Sequence, residues 1–137
     1  MSRRLSLAAL LGVMALPIAG GAATEQPLAV RAAVNDATAE GPIVRGTMRL
    51  TVVNGANYTV RGLTLRLVSP AAGTLGSGAI DVGDVEHDAT VVVTAQFRLE
   101  KTFMDSPDPL TMEAVYRDNE DAPVKTLLQV ARDGGVR

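Results

Sequence analysis

The chain has no cysteine and no tryptophan, one histidine, two tyrosines and two phenylalanines in 137 residues. Absent cysteines exclude disulfides, thiolate catalysis, Cys-ligated zinc and iron–sulfur clusters together. A lone histidine with no second histidine or cysteine gives too few ligands for a transition-metal site. Without tryptophan the sequence is short of the aromatic platforms on which sugars stack. Basic charge is also short, with 13 Lys+Arg against 15 Asp+Glu. The basic residues are mostly arginines spaced one per strand. That distribution suits solvated strand faces and gives no electrostatic footprint for nucleic acid.

What is present begins with a leader. Arg3 and Arg4 form a positive start, Leu5 to Leu16 is apolar apart from Ser6 and Gly12, and Pro17 ends the run. Small residues follow, Ala19-Gly20-Gly21-Ala22-Ala23, so residues 1–23 read as a cleaved secretory signal peptide. A membrane anchor needs roughly 20 apolar residues, and this stretch is shorter and ends in a cleavage-type segment. Arg3-Arg4 evokes a twin-arginine signal, but Ser6 interrupts the apolar residues such a signal wants, which favours the general secretory route. With no cysteine at the cleavage site, lipid attachment there is excluded. Removing the leader leaves residues 24–137 as one domain without a membrane span. It carries 11 basic and 15 acidic residues, a net charge of −4. An exported domain that relies on its core instead of disulfides fits the bacterial periplasm or secreted space. Asn57-Tyr58-Thr59 matches a glycosylation sequon, and in such a host it is an ordinary turn-to-strand segment.

The mature part alternates apolar and polar residues in short runs, the period of a half-buried strand. Strands are expected over Leu28–Val34, Ile43–Val53, Tyr58–Val68, Ala79–Val82, Ala89–Leu99, Leu110–Arg117 and Val124–Ala131. Met48, Leu50 and Val52 share one face, as do Leu110, Met112, Ala114 and Tyr116. Asn35 to Pro42 is expected as a polar connection and Asn54-Gly55 as a turn. Gly62 marks a bulge, Ser69 to Gly78 and Lys101 to Pro109 are loops, and Arg132 to Arg137 is a frayed tail. About seven antiparallel strands separated by turns predict an all-β, immunoglobulin-like β-sandwich.

Several segments carry a family resemblance. They are Val52-Val53-Asn54-Gly55, then Leu63-Thr64-Leu65-Arg66-Leu67, then Ile80-Asp81-Val82-Gly83-Asp84-Val85 before the long Thr90–Leu99 strand. The hairpin of Met112 to Asp118 with Val124 to Val130 closes the series. In this order they resemble bacterial immunoglobulin-like domains of the CARDB kind, relatives of adaptin-appendage sandwiches, over about Leu28 to Ala131. Family members often place Pro-Gly before the long strand, where this chain has Glu86-His87-Asp88. The resemblance implies a spacer or binding module and brings no catalytic residue set with it.

Residues with catalytic or metal-binding chemistry are few. His87 sits among Asp84, Glu86 and Asp88, which reads as a solvated turn more readily than as a general base or metal site. Asp105, Asp108, Asp118, Glu120 and Asp121 are weak calcium candidates. Calcium wants about 6–8 oxygen ligands, and these residues lie in two loops at opposite ends of one strand. Ser69, Ser77 and Ser106 have no base near them in sequence, and no helix follows Gly73–Gly78 to cradle a phosphate. No catalytic residue, cofactor or metal is assigned.

Two functions remain. One is a non-enzymatic interaction or structural module of the bacterial envelope that binds a protein partner. It would use an exposed sheet edge, or loop residues such as Phe103 and Met104. The other is a small ligand- or calcium-binding accessory protein for an envelope enzyme or transporter.

Overall fold

The computed structural model describes residues 27–133, together with two two-residue strands, Pro17–Ile18 and Gly21–Ala22, that pair antiparallel. Apart from those strands, the expected leader lies outside the described residues, as do residues 134–137.

The alternating runs become eight strands. They are β1 (Leu28–Glu40), β2 (Ile43–Asn54), β3 (Val60–Ser69), β4 (Thr74–Leu75), β5 (Ile80–Val85), β6 (Thr90–Glu100), β7 (Leu110–Arg117) and β8 (Pro123–Asp133). One short helix, α1 (Lys101–Met104), follows β6. The spatial order is β4-β6-β2-β1-β8-β7-β3-β5. Every pairing is antiparallel except β1 with β8, which run parallel over Arg31–Ala33 and Ala131–Asp133. The sheet is therefore two antiparallel halves joined along β1 and β8. It curls until it nearly closes into a barrel-like sandwich around one core.

Strand alternation fills that core. Met48, Leu50 and Val52 of β2 face Leu63 and Leu65 of β3, and all five are fully buried. On β7 the residues Leu110, Met112, Ala114 and Tyr116 all point inward. Each aliphatic side chain removed from water in this way stabilises the fold by about 1.5–3 kcal/mol.

Three expectations are corrected. The main sheet has eight strands rather than about seven, because β4 forms inside the Ser69–Gly78 loop. The pairing is not wholly antiparallel, because β1 and β8 meet only in the tertiary fold.

The third correction is Asn35–Pro42, which is mostly strand. β1 continues to Glu40 and turns through Gly41, at φ +65°, into β2. Residues 35–40 are exposed on both faces, so polar side chains there are compatible with pairing and alternation is lost. A bulge between Val34 and Asp36 lets the Asp36 carboxylate accept bonds from the Thr47 N–H (3.2 Å) and hydroxyl (2.7 Å). Gly46 lies against it, and a Cβ there would overlap the Asp36 carbonyl oxygen. Gly62, at φ +61°, sits in a register break between Val60 and Leu63, as expected.

Candidate functional site

The sandwich fails to close between β6 and β5. β6 pairs with β2 along its whole length, from Val53↔Thr90 to Ile43↔Glu100. On its other side β4 pairs only with Phe97 and Arg98, and the Gly76 N–H adds a 2.7 Å bond to the Gln96 carbonyl. Among the described residues no strand pairs with that side of β6 from Thr90 to Ala95.

The direction of each backbone group follows from the hydrogen bonds at the two ends of the strand. Asn54 donates to the Ala89 carbonyl and Lys101 to the Pro42 carbonyl, so odd-numbered residues of this strand face β2. Gln96 faces the other way, towards Gly76. Backbone groups alternate sides along a strand, so Thr90, Val92 and Thr94 present N–H and C=O groups to the open edge. A cleft of about 610 Å³ lies beside Thr94, lined also by Ile80, Asp81, Val93, Ala95 and Gln96 among others.

The two edges of this seam differ. β5 carries Asp81 and Asp84, Gly83 at φ +86°, and two register breaks against β3. These are the charge and bulge devices that discourage edge pairing. Residues 90–96 of β6 read Thr-Val-Val-Val-Thr-Ala-Gln, with no charge, proline or bulge. Val92 is 54% exposed, and Val53 of β2, its diagonal neighbour on the same face, is 38% exposed.

Asn54 positions the start of this edge. It is the sole buried polar side chain among the described residues. Its amide donates to the carbonyls of Tyr58 and Val85, each at 2.9 Å, and its side-chain oxygen accepts from the Ala56 N–H at 2.9 Å. Its backbone carbonyl accepts from the Asp88 N–H at 3.0 Å. One side chain thus ties loop 55–58 to the end of β5, and the turn into β6 hangs from its backbone.

The sequence-predicted site residues lie apart from this edge or beside it in structural roles. His87 Nδ1 meets the Ala56 carbonyl at 2.8 Å, and Nε2 lies 3.2 Å from the Asp88 carboxylate, in an exposed turn. Asp84 accepts from the Gly62 N–H. Asp105 pairs with Lys101 at 2.9 Å. Asp118 accepts from the N–H groups of Glu120 and Ala122, and Asp121 lies 4.0 Å from Arg117. The eight residues of β7 separate Asp105 and Asp108 from Asp118, Glu120 and Asp121, about 25 Å at ordinary strand rise. Among the described residues no three His, Cys, Asp or Glu side chains gather to hold a metal ion.

Phe103 and Met104 lie on α1. Met104 is 2% exposed and belongs to the core. Phe103 is half-buried beneath Arg132, whose guanidinium lies 4.4 Å from the ring centroid. Arg132 was expected in a frayed tail, and instead it fastens the α1–β7 loop. It donates to the carbonyls of Phe103 (3.2 Å), Ser106 and Asp108 (2.9 Å). Burial lowers its pKa, with Asp108 opposing the shift. Tyr116 is raised above the ordinary phenol value by burial first, then by Tyr58 and Asp118.

No protein-family model matches the chain, and no curated protein matches it. Solved structures do. An exo-β-N-acetylglucosaminidase of family GH20 from Vibrio harveyi, in complex with N-acetylglucosamine, is 13% identical at a TM-score of 0.45. That match covers 77% of this chain but only 18% of the enzyme. A FixG-related protein from Vibrio parahaemolyticus is 12% identical at a TM-score of 0.37, covering 80% of this chain and 99% of that one. Northeast Structural Genomics Consortium target SoR45 is 11% identical at 0.42, covering 80% and 89%. At such scores these β-rich likenesses are distant and carry no functional argument.

Proposed function

We propose that this chain is an exported, non-enzymatic module with an immunoglobulin-like sandwich, of the kind the CARDB resemblance implies. It would dock another protein chain in the bacterial envelope by strand addition to β6. Support comes from the open edge, where the outward N–H and C=O groups of Thr90, Val92 and Thr94, in the uncharged stretch 90–96 of β6, have no strand partner among the described residues. Strand addition draws affinity from main-chain hydrogen bonds and specificity from alternate side chains. The leader supports export by the general secretory route to the periplasm or cell surface.

The test is capture from the envelope fraction of the native host by tagged protein, comparing wild type with Val92→Lys and Thr94→Pro. Lysine on an edge strand opposes further pairing. A proline whose missing N–H faced solvent removes one outward donor and leaves the β2 ladder intact. Both variants should lose the captured protein while keeping the wild-type far-UV spectrum. Equal capture by all three proteins would count against β6 as the docking edge.

A further inference from the structure

The exposed edge of β6 is its own complement. Residues 89–95 read Ala-Thr-Val-Val-Val-Thr-Ala, a seven-residue palindrome centred on Val92. An antiparallel pair of identical strands related by a two-fold axis places residue i opposite a residue equally far beyond the centre. With the axis at Val92, that residue opposes its own copy, Val91 opposes Val93, Thr90 opposes Thr94 and Ala89 opposes Ala95.

We infer that the strand taken up by this edge is β6 of a second copy of the chain. The inference rests on the proposed interaction edge and names its occupant. Four observations favour a copy over an unrelated strand. First, the palindrome makes each cross-strand pair chemically matched, valine on valine and threonine on threonine, which are favourable neighbours on a sheet. Second, the outward backbone groups are those of Thr90, Val92 and Thr94, so this register makes Val92 with Val92 and both Thr90–Thr94 pairs hydrogen-bonded ones.

Third, the seven residues carry no charge, so the two paired stretches bring no like charges opposite one another. Fourth, the ends fit. Gly76 closes the edge at Gln96, where the ladder must stop. The copy leaves its strand just there, because Asp88 bonded to the Asn54 carbonyl and His87 bonded to the Ala56 carbonyl hold the preceding turn on the β2 side, away from the edge. Pairing also covers Val92, one of the most exposed large apolar side chains among the described residues.

The chain has no cysteine, so single substitutions report the register without background. Opposed residues in a hydrogen-bonded antiparallel pair have Cα atoms about 5.5 Å apart, within the roughly 4.4–6.8 Å that a disulfide spans. The experiment combines sedimentation equilibrium of the protein, as the host processes it, with oxidation of Val92→Cys, Thr90→Cys and Thr94→Cys. The expected results are twice the chain mass at high concentration and the single mass for Val92→Lys, with circular dichroism unchanged. Val92→Cys alone should form covalent dimer, and Thr90→Cys should do so efficiently only when mixed with Thr94→Cys.

A single mass at every concentration, with envelope capture that Val92→Lys abolishes, would overturn the second copy while leaving the docking edge standing. A single mass with no capture would overturn both. A dimer that survives Val92→Lys and gives no Val92→Cys cross-link would place the interface elsewhere and overturn the inference.

Discussion

Replacing Asn54 by alanine should unfasten the corner from which β6 starts. The side chain makes three hydrogen bonds, each 2.9 Å long. The one to Val85 is buried, because Val85 has no exposed surface. A buried polar group left unpaired costs about 1–3 kcal/mol. The Val85 carbonyl has no water to turn to in Asn54→Ala, whereas the Tyr58 carbonyl and Ala56 N–H lie in a half-exposed loop and recover part of their loss. The sum is about 3 kcal/mol, a large share of the roughly 5–15 kcal/mol that holds a domain folded. At about 4 °C per kcal/mol for this size, Tm should fall by roughly 12 °C.

Urea unfolding followed by circular dichroism measures this directly, as a lower midpoint with an unchanged slope. Asn54→Asp sharpens the test, since it keeps the shape and replaces the two donors by an acceptor aimed at two carbonyls. Burial and those oxygens would raise the introduced carboxyl above its unfolded value of about 3.9. A folded pKa above the unfolded one means stability is retained below about pH 4 and is lost as pH rises through the folded pKa. The Tm deficit of Asn54→Asp should therefore grow from pH 4 to pH 7, while that of Asn54→Ala stays flat. A change under about 0.5 kcal/mol for Asn54→Ala, the ordinary range for a surface substitution, would refute the latch.

Gly46→Ala should destabilise by about 1–3 kcal/mol, because the new methyl overlaps backbone, the Asp36 carbonyl, rather than a side chain that could yield; thermal melts check it. Arg132→Lys should cost about 2 kcal/mol through lost charged hydrogen bonds to the α1–β7 loop. Its signature is faster amide exchange confined to residues near Ser106. Tyr116→Phe removes a phenol whose pKa is raised in the folded state. Its contribution is present below the unfolded pKa of about 10 and is lost as pH rises through the folded value. The wild type should therefore lose stability above pH 10 more steeply than the variant, and parallel alkaline curves would contradict the assignment.

The sequence shows most clearly the strands that bury one face. Leu110, Met112, Ala114 and Tyr116 alternate because β7 has a core on one side only. The same logic hides residues 35–40 of β1, where both faces meet solvent and polar side chains resemble a loop. Asn54-Gly55 is legible as a turn signal, yet the role of Asn54 depends on Val85, 31 residues away. Arg132 looks like a charged tail residue until the fold brings three loop carbonyls to it. The alternation of β6 shows that it is a strand, but not that half of one side stays unpaired. That depends on β4 ending at Leu75 and on the register breaks of β5, both properties of the closed fold.

Residue-resolved amide exchange along β6, in dilute and then concentrated protein, tests the open edge most directly. In dilute solution the outward amides of Val92 and Thr94 should exchange far faster than the inward amides of Val91 and Val93, which face β2. On concentration that alternation should vanish as the outward amides gain partners. Uniform protection of all four amides in dilute protein would mean the edge is already covered within the chain, and would contradict the account.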